Sequence, residues 1–173
     1  MKKTIIVACS LNNVIGRDGN LPWANNEKYT GDLRRFKELT LNNTVIMGRK
    51  TFESLNCNPL KSRRNIVVSK SRPFENINSV EVYSSISDAL AQCSNKSENV
   101  YFVGGSTLYK FALPYTDEID MTIIPEICYS HSRAEETIYF PTLDSSWRLS
   151  EEFEHPYNSF LKVKKFIKTT QNL

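Results

Sequence analysis

Short apolar runs rich in β-branched residues alternate with helical patterns over the first two thirds of the chain. These runs predict strands over residues 4–10, 44–48, 65–69, 80–83 and 99–103. Helical spacing of apolar residues predicts helices between the strands, over residues 32–39, 49–54, 86–92 and 106–112. Strands that alternate with helices in this way predict an α/β fold with a mostly parallel central sheet flanked by helices.

The end of the chain follows a different pattern. Residues 118–124, 147–154 and 160–169 have strand character without helical patterns between them. The last two strands are predicted to form a C-terminal antiparallel hairpin through residues 155–159 at one edge of the sheet. A chain of 173 residues suits one domain over residues 1–173. Ser87 and Asp88 are the predicted start of the third helix.

Charge and cysteine usage exclude several classes of protein. The net charge of +3 is too small to indicate a nucleic-acid partner. No two of the four cysteines have C-x-x-C spacing, so Cys9, Cys57, Cys93 and Cys128 are predicted to be free thiols in a reducing cytosol, with no metal site. The apolar run near the N-terminus is too short for a signal peptide, and no later stretch is long enough to span a membrane. These features predict a cytoplasmic protein without a membrane partner.

A single carboxylate stands at the start of the first predicted helix. Asp32 is followed by Leu33 and Phe36, and Trp23 precedes it in a loop. Apolar surroundings raise the pKa of a carboxyl group, which makes Asp32 a candidate for proton transfer. Aspartate is also a common helix cap. The residues alone leave both interpretations open.

A basic junction joins the second predicted strand to its helix. Gly48 is followed by Arg49, Lys50 and Thr51. Free backbone N–H groups and the helix dipole favour an anion at such a junction, and the two cations add charge. The alternative is a solvated basic turn.

A pair of glycines stands at another junction of the same kind. Gly104 and Gly105 follow a predicted strand and precede a helix. Glycine lets the backbone approach a ligand closely. The G-x-G-x-x-G fingerprint of dinucleotide-binding folds is absent, so the glycines by themselves fit a plain turn equally well.

The motifs together occur in an order that resembles the dihydrofolate reductase family. They are Val14-Ile15-Gly16, Leu21-Pro22-Trp23, Asp32-Leu33, Phe36-Lys37, VIMGRKTFES over residues 45–54, Val103-Gly104-Gly105 and Thr122. The resemblance is close from residue 4 to about residue 125. It implies NADPH-dependent reduction of 7,8-dihydrofolate to 5,6,7,8-tetrahydrofolate, with hydride transfer to C6 and protonation at N5. It also implies a monomer that binds antifolate inhibitors.

The resemblance implies roles for residues around the substrate. Asp32 would bind the pterin and raise the basicity of N5, with a hydrogen bond from Thr122. Trp23 would hold the proton-donating water, and Leu21 would lie in a closing loop. The pocket would further be lined by Ile6, Val7, Leu33, Phe36, Ser54, Leu55 and Val103. Arg63 would bind the α-carboxylate of the glutamate tail, because a guanidinium forms two parallel hydrogen bonds to a carboxylate.

The resemblance also implies a set of NADPH contacts and no metal. The 2′-phosphate would lie against Arg49, Lys50, Ser69 and Lys70. The remaining cofactor contacts would come from Ala8, Ile15, Gly16, Gly48, Thr51, Val103, Gly104, Gly105, Ser106, Thr107, Leu108 and Tyr109.

The chain departs from the family pattern in two places. Residues 25–31 form a polar insertion before Asp32, and it is expected to be mobile, as is the loop over residues 10–23. The family's Gly-Asp-Thr is replaced by Glu135-Glu136-Thr137, so the aspartate that can brace the closed loop is missing. His131 and His155 are predicted to be surface residues without catalytic partners.

Two other functions are weighed against folate reduction. A pyrimidine reductase of riboflavin biosynthesis has the same fold and cofactor, and a non-catalytic nucleotide-binding module is a possibility from another class. Asp32, Leu33, Phe36 and Arg63 favour folate over the pyrimidine. The acidic residue argues against a non-catalytic module.

Overall fold

The computed structural model describes residues 1–71, 77–93, 99–129 and 136–169. The strands are β1 (Lys3–Ser10), β2 (Val14–Arg17), β3 (Thr44–Gly48), β4 (Arg64–Val68), β5 (Val80–Tyr83), β6 (Val100–Phe102), β7 (Glu118–Ile124), β8 (Thr137–Tyr139), β9 (Trp147–Glu154) and β10 (Lys162–Lys168). The helices are α1 (Asp32–Thr40), α2 (Arg49–Ser54), α3 (Ile86–Ala91) and α4 (Ser106–Ala112), with short 3₁₀ helices at Glu27–Tyr29 and Leu113–Tyr115.

The described chain forms two compact units, and the first contains Met1–Ile5 and Glu38–Thr116. Its strands have the order β5-β4-β3-β6-β1, and each neighbouring pair is parallel. Val45, Ile46 and Met47 of β3 are fully buried. A central parallel strand is covered on both faces, which explains why its sequence is continuously apolar rather than alternating.

The second unit contains the described residues within Ile6–Lys37 and Asp117–Leu173. Strand β10 lies between β7 and β9 and pairs antiparallel with both. The predicted C-terminal hairpin is therefore confirmed. The shorter β2 and β8 pair antiparallel in a separate small sheet. Sequence patterns missed this pair because three or four residues are too few to show an alternation.

The predicted fold class is confirmed, since parallel strands with intervening helices are followed by an antiparallel strand pair. The start of α3 differs from the prediction at Ser87 and Asp88. Ser85 is the N-cap, and its side chain accepts a hydrogen bond from the Asp88 backbone N–H at 3.1 Å. Ser87 therefore lies inside the helix. The prediction of a single domain is not tested by the division into units and stays a prediction.

All four cysteines are free, as predicted. Burial raises the pKa of the Cys9 thiol to about 12, so this residue is an inert core side chain. Within the described ranges, no helix has the length and apolar character needed to cross a membrane.

Candidate active site

The two glycine turns of the first unit lie against each other. The Gly48 N–H donates to the Gly104 carbonyl at 2.7 Å, and the peptide bond between Gly104 and Gly105 is cis. Gly104 has a φ of +119°, where a side chain is strained. A Cβ on Gly104 would lie 3.4 Å from the Tyr109 hydroxyl and 3.5 Å from Thr51 Oγ1. These distances are ordinary van der Waals contacts, so it is the positive φ, and not a lack of space, that favours glycine at this position.

Both turns lead directly into short helices. Gly48 precedes α2 and Gly105 precedes α4, and neither N-cap provides a side-chain hydrogen bond. The first N–H groups of a helix have no partner within the helix and favour a phosphate. These residues fit the pyrophosphate of a dinucleotide.

The predicted 2′-phosphate residues follow two neighbouring strands of the first unit. Gly48 pairs with Val68 in the parallel β3–β4 ladder, so Arg49 and Ser69 each follow a paired residue at the same edge of the sheet. Carboxyl ends of parallel strands are where ligands bind in α/β sheets. Arg49 Nε lies 3.6 Å from Glu53 Oε1, and both side chains are about half exposed. Such a pair contributes little to stability and can exchange for a phosphate contact.

Arg63 is held by neighbours of the first unit. Its Nη1 donates to Thr40 Oγ1 at 3.1 Å, and its Nε donates to the Lys61 carbonyl at 3.0 Å. Partial burial lowers the pKa of the guanidinium from its usual value, although an arginine stays charged at neutral pH. A positioned and partly desolvated guanidinium is suited to a carboxylate ligand.

In the second unit, Asp32 is the first residue of α1 and not its cap. The Gly31 carbonyl accepts the first helical hydrogen bond, from Arg35 N–H at 3.0 Å. The Asp32 side chain is 22% exposed. Since Gly31 takes the cap position, the carboxylate of Asp32 is available for a ligand.

A buried ion pair fixes α1 against β7. The Arg35 guanidinium forms a bidentate pair with Asp120, with Nη–Oδ distances of 2.6 and 2.7 Å. Asp120 and Thr122 are two residues apart on β7 and therefore share a face. Thr122 is buried, and its hydrogen bond to Asp32 stays a prediction. Sequence reasoning did not identify the Arg35–Asp120 pair.

His155 contradicts its predicted place on the surface. Its side chain is completely buried, and Nε2 lies 3.8 Å from Asp32 Oδ1. The hairpin between β9 and β10 brings it there, because the His155 N–H donates to the Leu161 carbonyl at 3.0 Å. The prediction that His155 lies on the surface was wrong. Separation of 123 positions in the sequence concealed the contact. His131 and Glu135 lie outside the described residues.

The other predicted substrate and loop residues differ in exposure. Trp23 is buried among Val14, Ile124, Cys128 and Leu161. Ile6 and Val7 are each 7% exposed, Phe36 is half-buried, and Leu21 and Leu33 are exposed. Exposed apolar side chains near a carboxylate are what a flat aromatic ligand would cover, but these contacts stay predictions. In the first unit, Val103 and Leu55 are partly buried against the core around Phe52, while the Ser54 hydroxyl donates to the Thr51 carbonyl at 2.6 Å.

The insertion before Asp32 is hydrogen-bonded on two sides within the second unit. Asn158 Nδ2 donates to the carbonyls of Lys28 and Thr30 at 2.7 and 2.8 Å. The Tyr29 hydroxyl donates to Glu126 at 2.8 Å. A Cβ on Gly31, which has a φ of +100°, would lie 2.9 Å from Tyr157 Cβ. These contacts define the path of the chain into α1.

The loop over residues 10–23 has a brace of its own. The Asp18 N–H donates to the Glu136 carbonyl at 3.1 Å, and the Glu136 N–H donates to Asp18 Oδ1 at 3.0 Å. The family's bracing aspartate is absent at the position of Glu136, and an aspartate on the loop itself makes the contact instead. No sequence pattern indicated the hydrogen bonds between Asp18 and Glu136.

Comparisons with known proteins agree on one family. A family model described as dihydrofolate reductase matches residues 2–170. The dihydrofolate reductase of Bacillus subtilis is 37% identical over 170 residues, covering 94% of each chain. Dihydrofolate reductase type 3 of Salmonella typhimurium is 38% identical over 154 residues, covering 88% of this chain and 87% of that protein.

A solved structure is similar in fold over almost the whole chain. It is a dihydrofolate reductase from Enterococcus faecalis complexed with NADP(H) and RAB-propyl, with a TM-score of 0.82 and 28% sequence identity. The similarity covers 97% of this chain and 96% of that one.

Proposed function

The chain belongs to the dihydrofolate reductase family, and we propose that Asp32 is the carboxylate that binds the pterin and assists its protonation. The protein is an enzyme that reduces 7,8-dihydrofolate to 5,6,7,8-tetrahydrofolate with NADPH. It is accordingly a binder of dihydrofolate and of antifolate inhibitors. A pyrimidine reductase and a non-catalytic nucleotide-binding module are not favoured.

NADPH supplies the hydride when it is bound. Gly48, Gly104, Gly105 and Thr51 would hold its pyrophosphate, because two uncapped helix starts meet there with little side-chain bulk. The 2′-phosphate would lie against Arg49, Lys50, Ser69 and Lys70. The other proposed contacts are Ala8, Ile15, Gly16, Val103, Ser106, Thr107, Leu108 and Tyr109.

On the substrate side, the ionised Asp32 would accept hydrogen bonds from the 2-amino group and N3 of the pterin. The negative charge raises the basicity of N5, and a water molecule gives N5 its proton. Trp23 would keep that water in place, and Leu33 and Phe36 would cover the ring. Arg63 would bind the α-carboxylate of the glutamate tail through its guanidinium.

The position of Asp32 carries this proposal. Its carboxylate is not used as a helix cap, because Gly31 accepts the first helical bond. The buried Arg35–Asp120 pair holds the start of the helix in place, so the carboxylate is presented on a fixed element. The Asp32 side chain is also 22% exposed, so a ligand can reach the carboxylate.

Substitution Asp32→Asn tests the proposal. The change keeps the shape of the side chain but removes the charge, so single-turnover hydride transfer at neutral pH should fall by about 10²–10⁴. Activity should recover in part at low pH, where solvent protonates the pterin directly. Affinity for NADPH, measured by fluorescence titration, should barely change. A variant that retains the wild-type rate near neutral pH would exclude Asp32 from the chemistry.

A cytoplasmic monomer without a nucleic-acid partner is also part of the proposal. The four free thiols support a reducing compartment, and the net charge of +3 argues against a nucleic-acid partner. Analytical ultracentrifugation at micromolar concentration tests the oligomeric state, and a dimer at these concentrations would contradict it.

A further inference from the structure

The ring of His155 is fixed in one tautomer by its own turn. The Tyr157 backbone N–H donates to His155 Nδ1 at 3.2 Å. A nitrogen that accepts a hydrogen bond carries no proton, so the neutral imidazole has its proton on Nε2. Nε2 is therefore the donor atom of this side chain.

That donor lies near the Asp32 carboxylate and has no hydrogen-bond partner among the described residues. The Nε2–Oδ1 distance of 3.8 Å is longer than a hydrogen bond. A buried donor without a partner is unfavourable, so a small rotation of the Asp32 side chain toward Nε2 is favoured. Rotation would place one carboxylate oxygen on the imidazole and leave the other for a ligand.

The charged groups that face the ring are Asp32 and Arg35 on α1 and Asp120 on β7. Burial lowers the pKa of His155 below its ordinary value; the two aspartates act in the opposite direction, and Arg35 lowers it further. A second proton on Nδ1 would also face the Tyr157 N–H and remove that hydrogen bond. His155 is therefore a neutral donor at neutral pH rather than a counter-ion.

We propose that His155 is a positioning residue for Asp32, whose Nε2–H holds Oδ1 so that Oδ2 faces the pterin. The inference rests on the proposed role of Asp32. Donation to the ionised carboxylate stabilises its charged form, which is the form that binds the 2-amino and N3 groups. Removal of the donor should weaken substrate binding and raise the pH at which binding begins to fail.

Two amide substitutions separate the functions of the two ring nitrogens. Glutamine places its amide NH₂ near the position of Nε2, so His155→Gln keeps a donor for Asp32. Asparagine reaches only as far as Nδ1, so His155→Asn keeps an acceptor for the Tyr157 N–H but has no donor for Asp32. Both variants replace the ring by a neutral polar group, and each serves as the control for the other.

The expected result is a difference between the variants in dihydrofolate binding and in the pH profile. His155→Asn should raise the dissociation constant for dihydrofolate about 3- to 10-fold, as expected for a partial loss of a charge-assisted hydrogen bond. The acidic limb of the profile for hydride transfer should move upward by about 0.5–1 pH unit. His155→Gln should stay close to wild type, and NADPH affinity should be unchanged in both variants.

Several outcomes would overturn the inference. Equal behaviour of the two variants in the pH profile, whatever their stability to urea, would make His155 a core residue only. If Asp32→Asn loses hydride transfer while His155→Asn does not alter binding, the proposed function stands and the positioning role fails. If Asp32→Asn keeps its rate, the proposed function itself fails.

Nitrogen NMR of the wild-type enzyme keeps the inference testable if a variant does not fold. The ¹⁵N shifts of His155 should show a proton on Nε2 at pH 7, and the Nε2 signal should move in Asp32→Asn. A proton on Nδ1, or a doubly protonated ring at neutral pH, would contradict the proposed arrangement.

Discussion

The buried Arg35–Asp120 pair predicts a large and specific effect on stability. Both Nη–Oδ distances, 2.6 and 2.7 Å, are short, and the two side chains are 8% and 5% exposed. In Asp120→Asn the guanidinium of Arg35 stays buried with no opposing charge. Because Arg35 lies one turn after Asp32, the substitution should also loosen the start of α1.

The expected magnitude follows from this near-complete burial. Breaking a buried pair by removing one partner costs about 3–5 kcal/mol, since an uncompensated charge stays in the interior. With a urea m-value of about 2 kcal/mol per molar, the unfolding midpoint should fall by about 1.5–2.5 M. Replacing both partners by apolar residues, as in Arg35→Met with Asp120→Leu, should recover most of this loss because no charge is left unpaired.

Urea unfolding followed by circular dichroism measures both variants against wild type. A fall of less than about 1 kcal/mol in Asp120→Asn would mean that the pair is solvated in solution. A double variant as unstable as the single one would show that packing around the two side chains, and not the charge, determines the effect. Either result would refute the reasoning.

Three further results are expected. The double substitution Arg49→Ala/Lys50→Ala should raise the Michaelis constant for NADPH at least about tenfold more than that for NADH, because each charge-assisted contact contributes about 1.5–3 kcal/mol. Equal effects on the two cofactors would exclude Arg49 and Lys50 from the 2′-phosphate site. Arg63→Leu should weaken dihydrofolate binding by up to several kcal/mol, about the effect of losing one partner of a charged pair, and calorimetry with a tail-less pterin should show almost no change. Burial and the hydrogen bond to Glu126 raise the pKa of Tyr29 to about 12, so in an ultraviolet pH titration Tyr29→Phe should show a smaller tyrosinate increase near pH 12 than the wild type.

The elements of the fold could be predicted wherever the local pattern and the final burial agree. Strand β3 was predicted with its observed bounds because its residues are apolar and buried on both faces. Helix α3 was predicted over residues 86–92 and begins at Ile86, but the start signal was read at Ser87 and Asp88, whereas Ser85 is the cap; several nearby serines offer equivalent starts. The small β2–β8 sheet was missed, because strands of four and three residues are too short to show an alternating pattern.

In the candidate site, contacts between residues far apart in the sequence could not be predicted. Asp32 and the glycine turns were identified through their order along the chain, which resembles that of the dihydrofolate reductase family, since the residue types alone also fit a helix cap and plain turns. His155 was placed on the surface, because an isolated histidine between two strands carries no signal of burial. Arg35 was not identified as a candidate in the sequence, and the fold shows that its partner is Asp120. Contacts between distant parts of the chain are not encoded in spacing.

The two hydrogen bonds from Asn158 to the carbonyls of Lys28 and Thr30 have a consequence for protein engineering. The insertion before α1 therefore depends on the β9–β10 turn for two of its hydrogen bonds. The bonded residues are 128 to 130 positions apart in the sequence. A chimera with a crossover anywhere between these segments would contain the insertion or the β9–β10 turn of this chain, but not both. Recombination libraries built with relatives should therefore exchange both segments together, and a graft of the insertion alone would enter α1 along an unsupported path.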